Sequence, residues 1–344
     1  MDLVNNLDGR LLFAIPKKGR LQQSALDLLR GADIQFKREN RLDIALVKNL
    51  QIALVFLPAA DIPTFVGEGQ VDLGITGLDQ VKEHDAGVRA MTRARRESAA
   101  VSADVASAIA AGSAAPTTAK ARGCETVLEL GFGSCKLQVQ VPEKGSYVEP
   151  RDLIGKNIGT SFVHLAEEYF GRLELEQDGL TSTDAAVSPR KLRTKIIELS
   201  GSVEAACALG VADGIVDLVE SGETMKAAGL KPIDTVVDSS AILIKSKSPS
   251  NPELLDLIAS RISGVITAQK FVLCQYNIPR AQLPEATTIT PGKRAPTITA
   301  LDEPDWVAVS AMVEKKKIAT VMDNLVKVGA TDILVLDIHN TRNS

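Results

Sequence analysis

Residues 215–225, IVDLVESGETM, have the pattern of a strand, a tight turn and the start of a helix. An apolar segment with one acid, Asp217, runs into a Ser-Gly-Glu-Thr turn, and a helical pattern follows. Backbone N–H groups at the start of a helix point outward and carry partial positive charge, so this turn suits a phosphate. Gly222 would let the backbone approach that phosphate closely. Taken alone, the segment is explained better by an ordinary strand and helix with a hydroxyl cap.

The residues upstream change that balance in favour of a ligand site. A longer pattern of spaced residues begins at Glu204 and includes this segment. Its further positions are Gly210, Ala212, Ile215, Asp217, Leu218, Ser221, Gly222, Thr224 and Met225. This pattern resembles the signature region of the ATP phosphoribosyltransferase family, the enzymes that open histidine biosynthesis. The resemblance covers nearly the whole chain apart from roughly residues 88–122. It is strongest with the long form of the enzyme, which carries its own regulatory domain.

Composition sets the broad class of the protein. The chain has 344 residues, of which 45% are hydrophobic and 24% charged, enough for two or three globular domains. A formal net charge of -4 argues against general nucleic-acid binding. The four cysteines have no CxxC spacing and the three histidines lie far apart, so we expect reduced thiols and no zinc site. Without a signal sequence or a run of ~20 apolar residues, the chain is expected to be cytoplasmic and not to enter a membrane.

Short apolar runs alternate with helical patterns along the first two-thirds of the chain. Strands are predicted at 11–15, 52–56 and 71–77, each followed by a turn and a helix. Repeated units of this kind imply an α/β fold with parallel sheets covered by helices. Ligands then bind beyond the carboxyl ends of the strands, where the loops 16–20, 76–79 and 221–224 lie.

The resemblance implies a two-lobed catalytic core, like a periplasmic binding protein, with a cleft between the lobes. The chain would cross between lobes near Cys135 and return near Met225. Lobe I is therefore expected at 1–134 and 226–247, and lobe II at 135–225. Residues 88–122 are rich in Ala and Ser with a basic start. We expect them to form a surface insertion in lobe I, disordered or loosely helical and foreign to the family.

The last part of the chain, 248–344, is predicted to be a separate small domain. From Phe271 onward the pattern is βαββαβ, a ferredoxin-like unit. In the long-form family this domain binds histidine, so the resemblance implies feedback inhibition. Aligning the YNIP, APTIT, WVAVSAM and GATDI segments places four residues near the effector, namely Asn277, Thr297, Met312 and Asp332.

The candidate substrate contacts lie in glycine-rich or hydroxyl-rich turns and beside acids. At the first of these turns, arginine offers a fork and lysine a point charge to phosphate oxygens. The candidates for ATP and phosphoribosyl pyrophosphate are Lys18, Gly19, Arg20, Thr76, Gly77, Lys136, Thr160, Ser161, Glu204, Asp213, Asp217, Ser221, Gly222, Glu223 and Thr224. For Lys136 a surface role and a phosphate contact both stay open. Asp72 and Asp79 are as well explained by capping or ion pairing as by a ligand.

Two acids are candidates for ribose hydroxyls or Mg²⁺. They are Asp213 and Asp217, and the second lies inside an apolar strand, where an unpaired charge is costly. The reaction implied by the resemblance is attack of N1 of ATP on C1 of phosphoribosyl pyrophosphate, releasing pyrophosphate. This reaction needs no protein nucleophile, so no general base is assigned, and Mg²⁺ carried by the substrate is the expected cofactor. The expected assembly is a homo-hexamer with dimers at low concentration.

The sequence departs from the family pattern ahead of the Asp-Ile-Pro turn. Leu57 and Pro58 stand where many members have an arginine, so a basic contact to the triphosphate is missing or is supplied by Lys18 or Lys136. Two other classes stay open from the residues alone. One is a non-catalytic two-lobed protein that binds or senses a small ligand, and the other is a regulatory subunit of a larger complex.

Overall fold

The computed structural model describes residues 7–38, 42–106, 123–180 and 191–342. Its contacts group the chain into two units. The first consists of Met1–Gln23, Arg38–Ala45 and Ile52–Ser250, and the second of Ser24–Lys37, Leu46–Gln51 and Asn251–Ser344. Up to Ser250 the elements are, in chain order, β1 (Leu11–Pro16), α1 (Gln22–Gly31), β2 (Ile44–Leu46), β3 (Ile52–Leu57), α2 (Ile62–Gly67), β4 (Leu73–Gly77), α3 (Leu78–Ala106), β5 (Cys124–Glu129), β6 (Cys135–Pro142), β7 (Asn157–Thr160), α4 (Val163–Gln177), β8 (Lys195–Glu198), α5 (Ala205–Ala208), β9 (Gly214–Val219), α6 (Glu223–Ala227), β10 (Leu230–Ser239) and β11 (Ala241–Ser246).

The first sheet has the strand order β2-β3-β1-β4-β11-β5. β1 pairs in parallel with both β3 and β4, as the alternating strand and helix patterns predict. β11 is antiparallel to β4 and to β5, a mixed edge that the sequence pattern did not reveal. Apolar side chains from α2 and the strands fill its core, among them Ala14, Ile62, Val66 and Ile244.

The second sheet has the order β10-β6-β9-β7-β8. β7 is parallel to β8 and β9, whereas β6 is antiparallel to β9 and β10. Helix α4 packs on one face of this sheet, where Phe170, Leu137 and Val216 are buried. The two sheets are the lobes of the two-lobed α/β core, so this part of the predicted fold is confirmed.

The chain passes between the two sheets at two places. It leaves the first sheet after β5 and enters the second at Cys135, where the sequence predicts the crossing. It returns at Ser240, between β10 and β11, rather than near Met225. The reason is that β10 pairs along β6 from Leu230 to Ser239. Residues 230–239 therefore lie in the second sheet, and 226–229 lead into them, so neither segment belongs to lobe I.

Helix α3 joins the first sheet to the second lobe. Ala86 on this helix is buried in the core of the second sheet. The Glu83 carboxylate accepts hydrogen bonds from the backbone N–H groups of His164 (2.8 Å) and Leu165 (2.9 Å), which open α4. The exposed Arg89 guanidinium forms a fork with Glu168, at 3.0 and 2.9 Å. Residues 88–106 of the predicted insertion continue this helix, and 107–122 lie outside the described residues.

The second unit is built on the predicted ferredoxin-like pattern. Its elements are α7 (Pro252–Lys270), β12 (Phe271–Pro279), α8 (Leu283–Ile289), β13 (Thr297–Ala300), β14 (Trp306–Glu314), α9 (Ile318–Lys327) and β15 (Thr331–Asp337). The strand order β13-β14-β12-β15 is that of a βαββαβ fold. Tyr276, Val309 and Leu325 are buried in its core. The predicted fold class is thus confirmed for this domain as well.

The start of α7 and the end of α1 are both fixed by polar contacts within this unit. Asn251 caps α7 by accepting a hydrogen bond from the N–H of Leu254 at 3.0 Å, with Pro252 in the first turn. At the end of α1, the Asn340 amide donates to the carbonyl of Gly31 at 2.9 Å. Among the described residues, no helix is both long and apolar enough to span a membrane.

We expect Glu83→Ala to lower the melting temperature clearly, and Glu168→Ala to have little effect. The first substitution removes a carboxylate bonded to two N–H groups at a helix start, worth about 1.5–3 kcal/mol. The second breaks a surface ion pair, worth about 0–1 kcal/mol. Thermal unfolding followed by circular dichroism measures both. Equal melting temperatures for the two variants would show that Glu83 does not anchor α4.

Candidate functional site

The turn after β9 presents backbone and hydroxyl groups to solvent. Gly222 has φ 79°, a left-handed conformation that favours glycine, and α6 begins at the next residue. Ser221 Oγ accepts a hydrogen bond from the N–H of Glu223 at 3.4 Å. Ser221, Glu223 and Thr224 are exposed, whereas Met225 is buried in a core that includes Ile215. The buried methionine fixes the turn, so its polar groups are held in place at the surface.

Two acids lie on the same side of the second sheet below this turn. Side chains alternate along a strand, so Asp217 shares the face of Ile215, which packs beside α5. Glu204 is the residue that precedes α5. Burial raises the pKa of Asp217 above its usual value, and the charge of Glu204 raises it further, although a hydrogen bond from the N–H of Leu218 opposes the shift. The structure therefore brings Asp217 and Glu204 together.

Asp213, predicted to join Asp217, lies elsewhere. It precedes β9 at the amino end of the strand, roughly 20 Å from the turn at ~3.3 Å per residue. Its carboxylate accepts hydrogen bonds from the N–H of Asn157 at 2.9 Å and from the hydroxyl of Tyr147 at 3.1 Å. These contacts give Asp213 a structural role, joining β7 and the 147 loop to β9.

The turn after β1 is the matching feature of the first lobe. Lys18 and Gly19 are exposed, and Gly19 has φ 85°. A Cβ on Gly19 would have open space around it, so backbone conformation rather than crowding calls for glycine here. Lys17 forms an ion pair with Asp43 at 2.7 Å. Lys18 is exposed, so it remains the candidate lysine of this turn.

Arg20, at the end of the same turn, is engaged by both lobes. Its Nε lies 3.1 Å from Glu220 Oε1, and one Nη lies 3.5 Å from Asp79 Oδ1. The other Nη donates to the carbonyl oxygen of Gly133. Glu220 directly precedes the Ser221–Thr224 turn, so one guanidinium joins the two candidate turns. The sequence pattern singled out Arg20, but it gave no signal for Glu220.

Other candidates are divided between buried and exposed positions. The Thr76 hydroxyl donates to the carbonyl of Ala59 at 2.8 Å, and that of Thr160 donates to the carbonyl of Val216 at 2.7 Å; both residues are fully buried. Both hydroxyls are therefore already bonded to backbone carbonyls. Any ligand contact at Thr76 or Thr160 would have to come from main-chain groups. Ser161 and Lys136 are exposed, and Lys136 lies 3.7 Å from Asp238. Gly77 is buried beside Asp79.

The four effector candidates belong to the second unit. Met312 pairs with Leu273 and Thr297 with Ser310, on the sheet face opposite Tyr276 and the rest of the core. The Asn277 amide donates to Asp332 Oδ2 at 3.1 Å, and so does the hydroxyl of Thr331. Asp332 has φ 51°, an uncommon value outside glycine. The structure thus brings Asn277 and Asp332 into contact and places Thr297 and Met312 on the open face.

Comparison with known proteins identifies the family of this chain. A family model described as HisG, ATP phosphoribosyltransferase, matches residues 58–264, and one described as HisG, C-terminal domain, matches residues 268–340. The chain belongs to the ATP phosphoribosyltransferase family. A curated ATP phosphoribosyltransferase of Yarrowia lipolytica is 57% identical over 342 residues, which cover 99% of this chain and 100% of the relative. One of Saccharomyces cerevisiae is 52% identical over 343 residues, with the same coverage.

A solved structure shares the fold. A chain of the ATP phosphoribosyl transferase (HisG:HisZ) complex from Thermotoga maritima aligns with a TM-score of 0.53 and 21% identity. The alignment covers 75% of this chain and 98% of that chain. At this level of identity the likeness shows the fold alone.

The structure describes part of the segment 88–122, which the sequence predicts to be an insertion. That this insertion is foreign to the family stays a prediction. Within the described part, residues 88–106 are the continuation of α3.

We expect Asp217→Asn to raise the melting temperature at neutral pH and Asp213→Asn to lower it. The raised pKa of Asp217 means that its ionised form is disfavoured in the folded protein. This penalty is fully present above the folded pKa and is lost as the pH falls from there to the unfolded pKa. Asp213→Asn instead weakens two hydrogen bonds, at a cost of about 1–3 kcal/mol.

Melting temperatures measured between pH 4 and pH 8 test this pair. The gain from Asp217→Asn should shrink as the pH is lowered towards 4. A destabilised Asp217→Asn protein at pH 7 would contradict the assignment of Asp217 as a buried acid held for function rather than for stability.

Proposed function

We propose that this chain joins N1 of ATP to C1 of phosphoribosyl pyrophosphate with release of pyrophosphate, the first step of histidine biosynthesis. Family membership supports the reaction class. The observation that carries the site is the exposed Ser221–Thr224 turn, with Gly222 in the left-handed conformation and the Asp217–Glu204 pair beside it. An anion-binding turn next to two acids suits a molecule with both a phosphate and ribose hydroxyls.

In this proposal the two turns share the phosphates of the substrates. The N–H groups of Gly222, Glu223 and Thr224, with the hydroxyls of Ser221 and Thr224, bind the phosphate of the phosphoribosyl group. Lys18 and the main chain of Gly19 neutralise further phosphate oxygens, and Lys136 adds charge from the second lobe. Arg20 is partly exposed beside these groups, with its Nε already in contact with Glu220. Ser161 and the main-chain groups of Thr76, Gly77 and Thr160 complete the lining.

The acids fit a magnesium ion that arrives with the substrate. Mg²⁺ is usually bound by one or two carboxylates together with substrate phosphates, and Asp217 and Glu204 are two such carboxylates. Across the described residues, no group of three or more His, Cys, Asp and Glu side chains could hold a metal by itself. When bound, Mg²⁺ would offset the charge that develops on the departing pyrophosphate. Asp213 drops out of this set because of its place at the opposite strand end.

The reaction needs positioning more than covalent chemistry. The attacking nitrogen belongs to ATP, so the protein contributes by holding the two substrates in line and by stabilising an electron-poor ribosyl centre. The polar groups of the Ser221–Thr224 turn are held by the buried Met225, and this preorganises them before substrate binds. No side chain is assigned as a general base.

The discriminating experiment is incubation of the protein with ATP, phosphoribosyl pyrophosphate and Mg²⁺. Release of pyrophosphate that depends on all three supports the proposal. Binding of ligands without release would favour the non-catalytic binding protein instead. The curated relatives are named ATP phosphoribosyltransferase, and this chain aligns along their full length, so we favour the enzyme.

We further propose feedback inhibition by histidine at the open face of the second unit. Asp332 suits the amino group of histidine, and its contact with the Asn277 amide orients its carboxylate. Thr297 and Met312 would line the same face. The effector must bind a less active arrangement of the homo-hexamer more tightly, because a ligand shifts an equilibrium only through differential affinity.

We expect Thr224→Ala to lower kcat/KM for phosphoribosyl pyrophosphate by about 10–150-fold. The hydroxyl would bond a charged phosphate, an interaction worth about 1.5–3 kcal/mol. The matched control is Thr92→Ala. The Thr92 hydroxyl is exposed on α3 and donates to the carbonyl of Val88, one turn earlier in the same helix. Steady-state kinetics with each substrate varied in turn make the measurement. Unchanged kinetics in a folded Thr224→Ala protein would refute the phosphate assignment.

We expect Asp332→Asn to raise the histidine concentration for half-inhibition at least about tenfold, with uninhibited activity unchanged. Asparagine tolerates the left-handed backbone of this position, so the change is in charge and not in fold. Asp323→Asn, an exposed acid on α9, is the control. Inhibition curves at saturating substrate decide, and a wild-type curve for Asp332→Asn would place the effector elsewhere.

A further inference from the structure

The guanidinium of Arg20 sits in a socket formed by residues from four separate places in the chain. Asp79 opens α3, Gly133 lies where the chain first crosses between the sheets, Ser239 precedes the return crossing, and Glu220 ends the segment after β9. All four lie within the first unit. The Arg20 side chain therefore contacts the first crossing and the segment before the second turn directly, and it reaches the return crossing through Asp79 and Ser239.

Asp79 is the buried member of this socket. Its side chain is 1% exposed, whereas that of Glu220 is 51% exposed. Asp79 Oδ1 accepts a hydrogen bond from the Ser239 hydroxyl, and the N–H of Asp79 donates to Ser239 Oγ at 2.9 Å. Gln80 donates to the other carboxylate oxygen at 2.7 Å. The carboxylate is thus held from several sides before it meets Arg20.

Two glycines make room for these contacts. A Cβ at Gly77 would overlap the Asp79 carboxylate, so a larger residue there would push the acid out of place. Gly133 has φ 65°, and a Cβ there would overlap Leu21 and come within 3.1 Å of Arg20 Nη1. Glycine at 77 and 133 therefore has a packing reason, which is to let the acid and the carbonyl reach the guanidinium.

We propose that Asp79 is a positioning residue that holds Arg20 and, through it, the two phosphate-binding turns in register, an inference that rests on the proposed function. Arg20 follows Gly19 of the first turn, and Glu220 precedes Ser221 of the second. The ion pair between Arg20 and Asp79 is buried, so solvent screens it little. The ion pair between Arg20 and Glu220 is exposed, so solvent and salt weaken it. Without Asp79 the guanidinium keeps the exposed Glu220 and the Gly133 carbonyl but loses its buried carboxylate, and the spacing of the turns is no longer fixed.

A plain capping role predicts a different result. Asp79 lies in the first turn of α3, where an acid favours the helix dipole whatever Arg20 does. Loss of a helix cap lowers stability, but the protein that remains folded keeps its affinity for phosphoribosyl pyrophosphate. Loss of a positioning residue lowers affinity for phosphoribosyl pyrophosphate, and it does so only while Arg20 is present.

The test is a double-mutant cycle with Asp79→Asn and Arg20→Ala. KM for phosphoribosyl pyrophosphate and for ATP is measured for each protein, and binding of phosphoribosyl pyrophosphate with Mg²⁺ is measured separately by calorimetry. Each single variant should raise KM for phosphoribosyl pyrophosphate at least about tenfold, which corresponds to about 1.4 kcal/mol. KM for ATP should change less than about threefold, and the double variant should be within about twofold of Arg20→Ala.

Glu168→Gln is the matched control, because it breaks the Arg89 fork between the same lobes and leaves the socket intact. Its kinetics should equal those of the wild type. The inference would be overturned if the two substitutions raised KM for phosphoribosyl pyrophosphate additively in the double variant. It would also be overturned if Asp79→Asn left the affinity for phosphoribosyl pyrophosphate unchanged. If Asp79→Asn does not fold, Ser239→Ala decides: a raised KM for phosphoribosyl pyrophosphate supports positioning, and an unchanged KM overturns it.

Failure of the proposed function has a separate signature. A wild-type protein that releases no pyrophosphate contradicts the reaction. The calorimetric cycle then still judges the socket, since Asp79→Asn should weaken binding of phosphoribosyl pyrophosphate only when Arg20 is present. Equal binding by the wild type and Asp79→Asn would overturn the inference whatever the reaction proves to be.

Discussion

The two lobes of the core depend on one constraint. The chain passes between the sheets twice, and Arg20 contacts one passage directly and the other through Asp79. Gly133 lies in the outward passage and contacts the guanidinium directly, and Ser239 precedes the return and reaches it through Asp79. A forked donor can join three partners where a lysine could meet them only from one point. The arrangement explains why a charged side chain is retained in a partly buried place, since each of its contacts fixes a different loop.

The acids of the second sheet show two different uses of the same side chain. Asp213 accepts from a backbone N–H and a tyrosine hydroxyl, so its charge is matched by donors. Asp217 is half-buried, with one neighbouring N–H and the like charge of Glu204, and its burial and that charge raise its pKa. A fold gains nothing from that pair by itself, because desolvation and repulsion both act against it. The cost is understandable when a cation or hydroxyl donors of a ligand complete the site.

Most of the fold could be predicted from sequence, because apolar periodicity and turn residues are local signals. The strand at 11–15, the capped start of α7 at Asn251 and the βαββαβ order after Phe271 all follow from such signals. The return crossing at Ser240 did not, because it depends on β10 pairing with β6 over long range, and no local residue marks that choice. The sequence left open whether the Ala-rich segment is helical, since alanine suits both a helix and an unpacked chain, and the structure continues α3 to Ala106.

The candidate site was predictable in its turns and not in its contacts. Gly222 and Gly19 stand out because turns at strand ends need their left-handed backbone, and the structure gives both positive φ values. Thr76 and Thr160 carry the same kind of hydroxyl as Thr224, but theirs are buried and bonded to carbonyls of neighbouring segments, whereas Thr224 is exposed. Residue type shows that a group can donate a hydrogen bond, and only burial shows whether the fold has already used it. The same reasoning separates Asp79 from other acids near turns: enclosed by Ser239, Gln80 and the space left by Gly77, its carboxylate is turned towards Arg20 rather than towards solvent.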